Sequence, residues 1–343
     1  MRTYRFVIGS AEAGLRLDHY LARRLPADLS RAAIQRSIRE GRITVGDRSV
    51  KAHYKLRTRD VVAAQLAELP ARGGDTILIP QEIPLQVAYE DAHLLIVNKP
   101  AGLVVHPAPG NWTGTLVNAL VWRFQQAGPS GQDVPRAGIV HRLDKDTSGL
   151  LLVAKTAAAH TALAKQLKAR TIRRRYLALV DGHLPLDAGT VNAPIGRHQT
   201  HRKEMTVRAL GGRHAVTHYR VLKRYRRAVS DGGRELILAY SLLEVSLDTG
   251  RTHQIRVHLA HLGYPVMGDP TYGKRSGAFW HALGIMRQLL HAWRLQFRHP
   301  VLRRECQSAA DIPEDLACWI DAETLRALGE PVAPRRLDSA DAK

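Results

Sequence analysis

The sequence predicts an α+β protein of two domains, the larger built on a mixed, largely antiparallel sheet. Its 343 residues exceed the roughly 150 of an average domain. Strand-like patterns cluster in the second part of the chain, at residues 89–100 (YEDAHLLIVNKP), 173–180 (RRRYLALV) and 236–247 (LILAYSLLEVSL). Helical patterns such as residues 156–170 (TAAAHTALAKQLKAR) are sparse among them. This balance favours an α+β architecture over alternating strands and helices.

Residues 15–62 are expected to form a small unit of two helices and a β-hairpin. Leucines recur in the first helix at helical spacing, at Leu17, Leu21 and Leu25. Ser30 is a suitable N-cap for a second helix that ends at Gly41. The stretch ITVGDRSVKA that follows has the turn and the alternation of a hairpin.

The second helix carries a basic face. Arg31, Gln35 and Arg39 are four residues apart and therefore share one side of the helix, with Arg36 and Arg42 close by. Such a face can bind phosphates, which makes Arg31 and Arg39 candidate substrate-binding residues. The alternative is an ordinary solvated helix face.

Composition sets the remaining boundaries. Residues 63–84 hold three prolines and a Gly-Gly pair, as linkers do, so the second domain is expected at 85–304. Residues 305–343 contain nine acidic residues and four basic residues. This excess of negative charge predicts an acidic C-terminal extension that does not touch a polyanion directly. Its last dozen residues, VAPRRLDSADAK, are expected to be disordered.

The charge balance indicates a polyanionic partner. Lysine and arginine number 51 against 31 acids, a formal net charge of +20, and the pI is near 10.5. No stretch reaches the roughly 18 apolar residues of a membrane span. With two cysteines and no apolar signal segment at the N-terminus, the sequence predicts a cytoplasmic protein.

One candidate site lies in HRLDKDTSGLLLVAK, residues 141–155. Asp144 and Asp146 stand among cations in a polar, turn-prone segment that leads directly into an apolar strand. A side chain at the mouth of a buried strand is rigid and still accessible. The alternative is that either acid only caps a turn.

A second basic stretch, GRTHQIRVHLAHLGYPVMGDPTYG, spans residues 250–273. An arginine from this stretch can keep a partly buried Asp144 ionised, because its planar fork binds carboxylates and does not deprotonate. The histidines 253, 258 and 261 also allow a zinc site. The flanking cations and the absence of an HExxH pattern argue against one.

A third element places three arginines, Arg173, Arg174 and Arg175, before Tyr176 at a strand start. Guanidinium groups beside an aromatic ring suit a nucleic acid, since phosphates meet the cations and a base stacks on the ring. The alternative for Tyr176 alone is a plain strand or core residue. The sequence has no phosphate loop, no dinucleotide fingerprint and no GxSxG serine, so carboxylate chemistry without a cofactor or metal remains.

These motifs carry two resemblances. Residues 16–62, RLDHYLARRLPADLSRAAIQRSIREGRITVGDRSVKAHYKLRTRDVV, resemble the S4 RNA-binding module. Residues 85–300, with HRLDKDTSGLLLVAK, RRRYLAL and GRTHQIRVHLAHLGYPVMGD, resemble the RluA-type pseudouridine synthase family. Within that family the chain is most similar to the D-type synthases of the large ribosomal subunit.

The resemblance implies roles for individual residues. Asp144 is then the catalytic aspartate, and Asp146 a residue that structures its loop. Arg256 forms the ion pair with Asp144. Tyr176 stacks on the target uracil and takes part in moving the C5 proton.

It also implies that Leu290 walls the pocket and that Arg142 contacts the flipped nucleotide or fills the gap it leaves. The implied activity isomerises uridines to pseudouridine in structured RNA, with no cofactor. The implied partner is a large-subunit rRNA stem-loop or pre-ribosomal particle, and no obligate protein partner is indicated. Composition alone also permits a non-catalytic RNA-binding assembly factor or a metal-dependent phosphodiester enzyme.

Overall fold

A computed structural model of the protein describes residues 2–25, 31–46, 48–66, 78–108, 111–126, 134–201 and 204–329. The chain divides into two compact units, Met1–Leu78 and Ile79–Lys343. Among the described residues, no helix combines the length and the apolar character that crossing a membrane requires.

The N-terminal unit packs two helices on a small antiparallel sheet of strand order β1-β4-β2-β3. Its elements are β1 (Arg2–Val7), α1 (Leu17–Arg24), α2 (Arg31–Arg39), β2 (Ile43–Val45), β3 (Arg48–Ser49) and β4 (Val61–Leu66). The helices bury Leu17, Leu21, Ile34 and Ile38 in one core. The helix–helix–hairpin order expected from the sequence is therefore present.

Two details of this unit differ from the sequence expectation. Strand β4 includes residues 63–66, which were assigned above to the linker. The strand extends this far because β4 pairs with β1 along the whole length of β1. Gln35 is not free for phosphates, since its amide donates to the buried Asp18 at 2.7 Å. The predicted cap Ser30 lies outside the described residues.

The C-terminal unit is built on a nine-stranded sheet of order β5-β6-β7-β14-β8-β13-β12-β9, with β15 paired to β14. Its strands are β5 (Gln86–Glu90), β6 (Leu94–Lys99), β7 (Ser148–Ala154), β8 (Arg173–Asp181), β9 (Ala188–Asn192), β12 (Val216–Asp231), β13 (Arg234–Leu247), β14 (Leu290–Arg298) and β15 (Glu305–Ala309). The pairing of β7 with β14 is parallel, and the other pairings described are antiparallel. The predicted mixed, largely antiparallel sheet is confirmed.

A hairpin and six helices surround this sheet in the described part of the chain. They are β10 (Ile195–Arg197), β11 (Met205–Val207), α3 (Leu116–Gln126), α4 (Ala157–Lys168), α5 (Gln254–His261), α6 (Gly277–Ala282), α7 (Glu314–Ala317) and α8 (Ala322–Gly329). Helix α4 begins where the sequence predicts it, because the Thr156 hydroxyl accepts the Ala159 N–H at its N-terminus.

The segment 89–100 forms parts of two strands rather than one. Asp91 breaks it, because its side chain accepts the backbone N–H groups of His93 at 2.7 Å and Leu94 at 2.9 Å and so closes a turn. An acid that hydrogen-bonds its own backbone competes with strand pairing.

The acidic C-terminal extension begins inside the sheet. Residues 305–309 form β15, and Trp319 and Ile320 pack in the core with Trp293. The Tyr240 hydroxyl also donates to the Trp319 carbonyl at 2.9 Å. The change in charge at residue 305 therefore does not mark a boundary of the fold. The predicted disorder of residues 332–343 lies outside the described residues.

Candidate active site

Asp144 lies in a loop that is anchored to the strand it precedes. Every residue of β7 is buried, and Nε2 of His141 accepts the Leu152 N–H of that strand at 3.0 Å. Burial, with the charge of Arg174 adding to it, lowers the pKa of His141 to about 3, so the imidazole is neutral and can accept. The first residue of the HRLD motif thus acts as a structural acceptor.

A buried lysine holds the same loop from the other side. Nζ of Lys99 donates to the carbonyls of Pro100 at 2.8 Å, Leu103 at 3.0 Å and Lys145 at 2.8 Å. Lys99 has no exposed surface, and burial lowers its pKa to about 8. Because one of its three acceptors is Lys145, Lys99 fixes the residue directly after Asp144.

Arg287 supports the far end of the loop. Its Nη1 donates to the Asp146 carbonyl at 3.1 Å, and its Nε and Nη2 bind both oxygens of Asp315 at 2.6 and 2.8 Å. Asp315 belongs to the acidic extension, which therefore stabilises the loop indirectly. Asp146 contributes to this contact through its backbone.

The guanidinium of Arg256 contacts two carboxylates. Its Nη1 lies 3.3 Å from Asp144, while Nε and Nη2 bind Asp269 at 2.7 and 2.8 Å. The side chains are 5% exposed for Arg256, 16% for Asp144 and 0% for Asp269. Burial acts to lower the pKa of Arg256, but the hydrogen bonds and charge of Asp269, followed by those of Asp144, outweigh it and raise the pKa. Arg256 is therefore a permanent cation beside Asp144.

Asp269 is fixed by the turn in which it lies. Its Oδ1 accepts the backbone N–H groups of Thr271 at 2.9 Å and Tyr272 at 3.0 Å. The Tyr272 ring lies against Arg256, with 5.0 Å between the guanidinium carbon and the ring centroid. The GDPTYG turn thus orients Arg256 from two directions.

Tyr272 also contacts His253. The phenol oxygen accepts the Met205 N–H at 2.9 Å and lies 2.8 Å from Nδ1 of His253. Burial lowers the pKa of His253, so its ring is neutral near pH 7. His253 adopts a left-handed backbone, φ 55°, at the start of α5.

His141, Asp144, His253 and Arg256 line a cleft of about 550 Å³. The sequence-predicted residues that line it are Arg142, Asp144, Arg174, Tyr176, Arg256 and Leu290. Tyr176 is 5% exposed on β8, and burial raises its pKa against the opposing charge of Arg174. The phenol is therefore neutral. Arg142 is exposed at the opening, and Leu290 is buried at the start of β14.

The three consecutive arginines do not all lie on the same face of β8. Arg174 shares the cleft face of β8 with Tyr176, while Arg173 and Arg175 project from the opposite face because side chains alternate along a strand. Arg175 lies 3.4 Å from Glu244 on that opposite face. Of the two arginines predicted on α2, Arg39 is exposed, and the side chain of Arg31 lies outside the described part of the structure.

Two of the histidines considered for a metal, His253 and His258, have other side-chain partners. His258 is fully buried, with Nδ1 2.8 Å from the Thr217 hydroxyl and Nε2 2.9 Å from the Ala193 carbonyl. Over the described ranges, no three metal-binding side chains cluster in a geometry for an ion.

Comparison with known proteins shows the family to which the chain belongs. A family model described as RNA pseudouridylate synthase matches residues 93–261, and an S4 domain model matches residues 15–62. The ribosomal large subunit pseudouridine synthase D of Xanthomonas campestris pv. campestris is 45% identical over 318 residues, covering 90% of this chain and 89% of that protein. The chain belongs to the RNA pseudouridylate synthase family. It is an isomerase that acts on RNA.

A further relative and a solved structure support the same family assignment. The protein of the same description from Pseudomonas aeruginosa is 45% identical over 320 residues, covering 90% of this chain and 91% of the relative. Among solved structures, human RNA Pseudouridylate Synthase Domain Containing 1 superposes with a TM-score of 0.52 at 29% identity, covering 71% of this chain and 94% of the human chain.

Three residues of this synthase's site were not predicted from the sequence: Lys99, Asp269 and Tyr272. Asp269 and Tyr272 lie in the quoted GDPTYG segment, where an acid in a Gly- and Pro-containing turn was the available signal. Lys99 ends an apolar strand, a position where a lysine must find several acceptors or remain at the surface.

Proposed function

We propose that this pseudouridine synthase modifies large-subunit rRNA, with Asp144 as its catalytic residue and no cofactor. The observation that carries the proposal is the placement of Asp144, partly buried at a basic cleft and 3.3 Å from Arg256. The rRNA target is supported by the printed names of relatives that are 45% identical to this chain.

The reaction rearranges the substrate without consuming a second one. The bond from N1 of uracil to C1′ of the ribose breaks, the base rotates, and C5 bonds to C1′. C5 then loses its proton and N1 gains one, so atoms and electrons balance. An ionised Asp144 either attacks the sugar or removes the C2′ proton. Both routes require the carboxylate form, and the permanent charge of Arg256 lies 3.3 Å from that group.

The neighbouring residues position the nucleotide. Extracting a uridine from a stacked RNA costs a few kcal/mol, and stacking on an aromatic ring returns about 1–3 kcal/mol. In this proposal Tyr176 supplies the ring, Leu290 an apolar wall and Arg142 a contact at the opening. The substrate is a stem-loop of the rRNA or a pre-ribosomal particle that presents it.

The target is tested with unmodified transcripts. The synthase is incubated with large-subunit or small-subunit rRNA transcripts in the presence of a metal chelator, and pseudouridine is mapped at single-nucleotide resolution. We expect discrete sites in the large-subunit transcript alone. Modification confined to the small-subunit transcript would contradict the rRNA assignment, and activity abolished by the chelator would contradict the metal-free assignment.

A further inference from the structure

Three arginines outside the catalytic group have interacting charges at the cleft, since those of Arg213 and Arg170 act on Arg251. Arg170 and Arg251 both line the cleft. Arg251 is half-buried, and its Nε donates to the carbonyl of His214 at 3.0 Å, which places its side chain beside Arg213. Arg170 and Arg213 are exposed. The three residues come from three separate parts of the chain.

No carboxylate of the described residues forms an ion pair with this cluster. Within the ranges that the structure describes, none of the three guanidinium groups has an Asp or Glu oxygen within 4.0 Å. Asp248, the cleft-lining acid besides Asp144, instead faces His218 at 3.3 Å. Burial, followed by the charges of Arg213 and then Arg170, lowers the pKa of Arg251. The cations therefore repel one another in the free protein.

The backbone holds these cations in place despite that repulsion. Arg213 exchanges both backbone hydrogen bonds with Ile195, at 2.8 and 2.9 Å. Arg170 follows α4 in a left-handed conformation, φ 59°, that caps the helix, with the Arg170 N–H donated to the Leu167 carbonyl at 3.1 Å and the Thr171 N–H to the Gln166 carbonyl at 3.0 Å.

We propose that Arg170, Arg213 and Arg251 form a phosphate-binding subsite for the RNA backbone beside the extracted uridine. This proposal rests on the proposed function, since it places the backbone at the rim while the base enters the cleft. A guanidinium binds phosphate oxygens in pairs, and the single negative charge of a backbone phosphate offsets part of the repulsion among the three cations. The subsite also assigns backbone binding to residues other than Arg173 and Arg175, which project from the opposite face of β8.

The test compares Arg213→Gln with Arg226→Gln, a matched change of an exposed arginine on β12 that lies outside the cleft lining. Binding to the large-subunit rRNA transcript is measured from 50 to 300 mM salt. Thermal unfolding of the free proteins and single-turnover rates at saturating RNA are measured alongside. Each phosphate contact contributes about 0.7–0.9 to the slope of log K against log salt.

We expect Arg213→Gln to weaken binding about 5- to 10-fold and to reduce the salt slope by about 1. The melting temperature of Arg213→Gln does not fall, because removing one of three like charges relieves repulsion. The single-turnover rate at saturating RNA stays at its wild-type value in the Arg226→Gln control. Arg226→Gln should leave the slope at its wild-type value.

An unchanged slope in Arg213→Gln, or an equal loss in both variants, would overturn the subsite. A fall in melting temperature that accounts for the lost binding would instead assign Arg213 a structural role and overturn it as well. Failure of the proposed function is distinguishable, since it appears as absent pseudouridine in the wild type while the salt slopes remain measurable.

Discussion

Arg256 presents to Asp144 the guanidinium nitrogen that Asp269 leaves free. Asp269 binds Nε and Nη2, and Nη1 lies 3.3 Å from Asp144. Asp269 therefore sets the plane of the guanidinium, and Asp144 receives a charged donor from a fixed direction. This arrangement gives one carboxylate of a strongly basic chain a buried cationic partner.

Replacing Arg256 should destabilise the C-terminal unit strongly. Arg256→Met leaves the fully buried Asp269 without its partner, and losing one member of a buried ion pair costs about 3–5 kcal/mol. The free energy of unfolding is measured by urea titration. Arg142→Met, which removes an exposed arginine of the same cleft, is the control and should cost less than about 1 kcal/mol. Equal losses in both variants would show that Asp269 does not depend on Arg256.

Acid should destabilise the protein through His141. Its folded pKa of about 3 lies below the unfolded value of about 6.5, so the unfolded state binds the proton first as the pH falls. The stability that neutral His141 contributes is therefore present above pH 6.5 and is lost progressively between about pH 6.5 and 3.

The check is His141→Gln, whose amide oxygen can still accept the Leu152 N–H. The slope of unfolding free energy against pH should be smaller than in wild type between pH 6.5 and 4, and equal above pH 7. His281→Gln, at an exposed position, should keep the wild-type slope. An unchanged slope in His141→Gln would mean that His141 is not held neutral.

Tyr176 should contribute both its ring and its hydroxyl. Tyr176→Phe keeps the stacking surface, so RNA binding should match wild type, while turnover falls about 100-fold if the phenol moves the C5 proton, as the family resemblance implies. Tyr176→Leu should also lose about 1–3 kcal/mol of base stacking. Single-turnover rates at saturating RNA separate the two effects. Wild-type turnover by Tyr176→Phe would leave Tyr176 a stacking role alone.

The S4 unit should contact phosphates through α2. Arg39→Gln removes an exposed cation and should lower the salt slope of rRNA binding by about 1 without changing turnover at saturating RNA. Arg5→Gln, an exposed position on β1, is the matched control and should have the wild-type slope. Equal slopes in the two variants would assign the phosphate contacts to other residues.

The residue types of the candidate site were easier to predict from the sequence than the contacts that support them. An acid before an apolar strand and an arginine in a basic stretch are visible as residue types, and their motifs resemble a known family. The role of Asp269 could not be read in this way, because it arises when a turn folds back on α5. The alternation of side chains along a strand, by contrast, already predicts from the sequence that Arg173 and Arg175 lie on the face opposite Tyr176.

Domain boundaries were less predictable for a related reason. The change in charge at residue 305 and the proline-rich stretch from residue 63 are features of composition, whereas β15 and β4 extend across both positions through backbone pairing. Hydrogen bonding between strands depends on partners distant in sequence, which composition does not encode.

The central proposal is that the ionised carboxylate of Asp144 is the catalytic group. It is tested most directly by comparing Asp144→Asn with Asp146→Asn, a neighbouring acid whose described contact is made by its backbone. Pseudouridine formation in the large-subunit rRNA transcript and RNA affinity are measured for both variants. We expect Asp144→Asn to bind RNA like wild type and to form no pseudouridine, while Asp146→Asn remains active. Turnover by Asp144→Asn at the wild-type rate would contradict the claim.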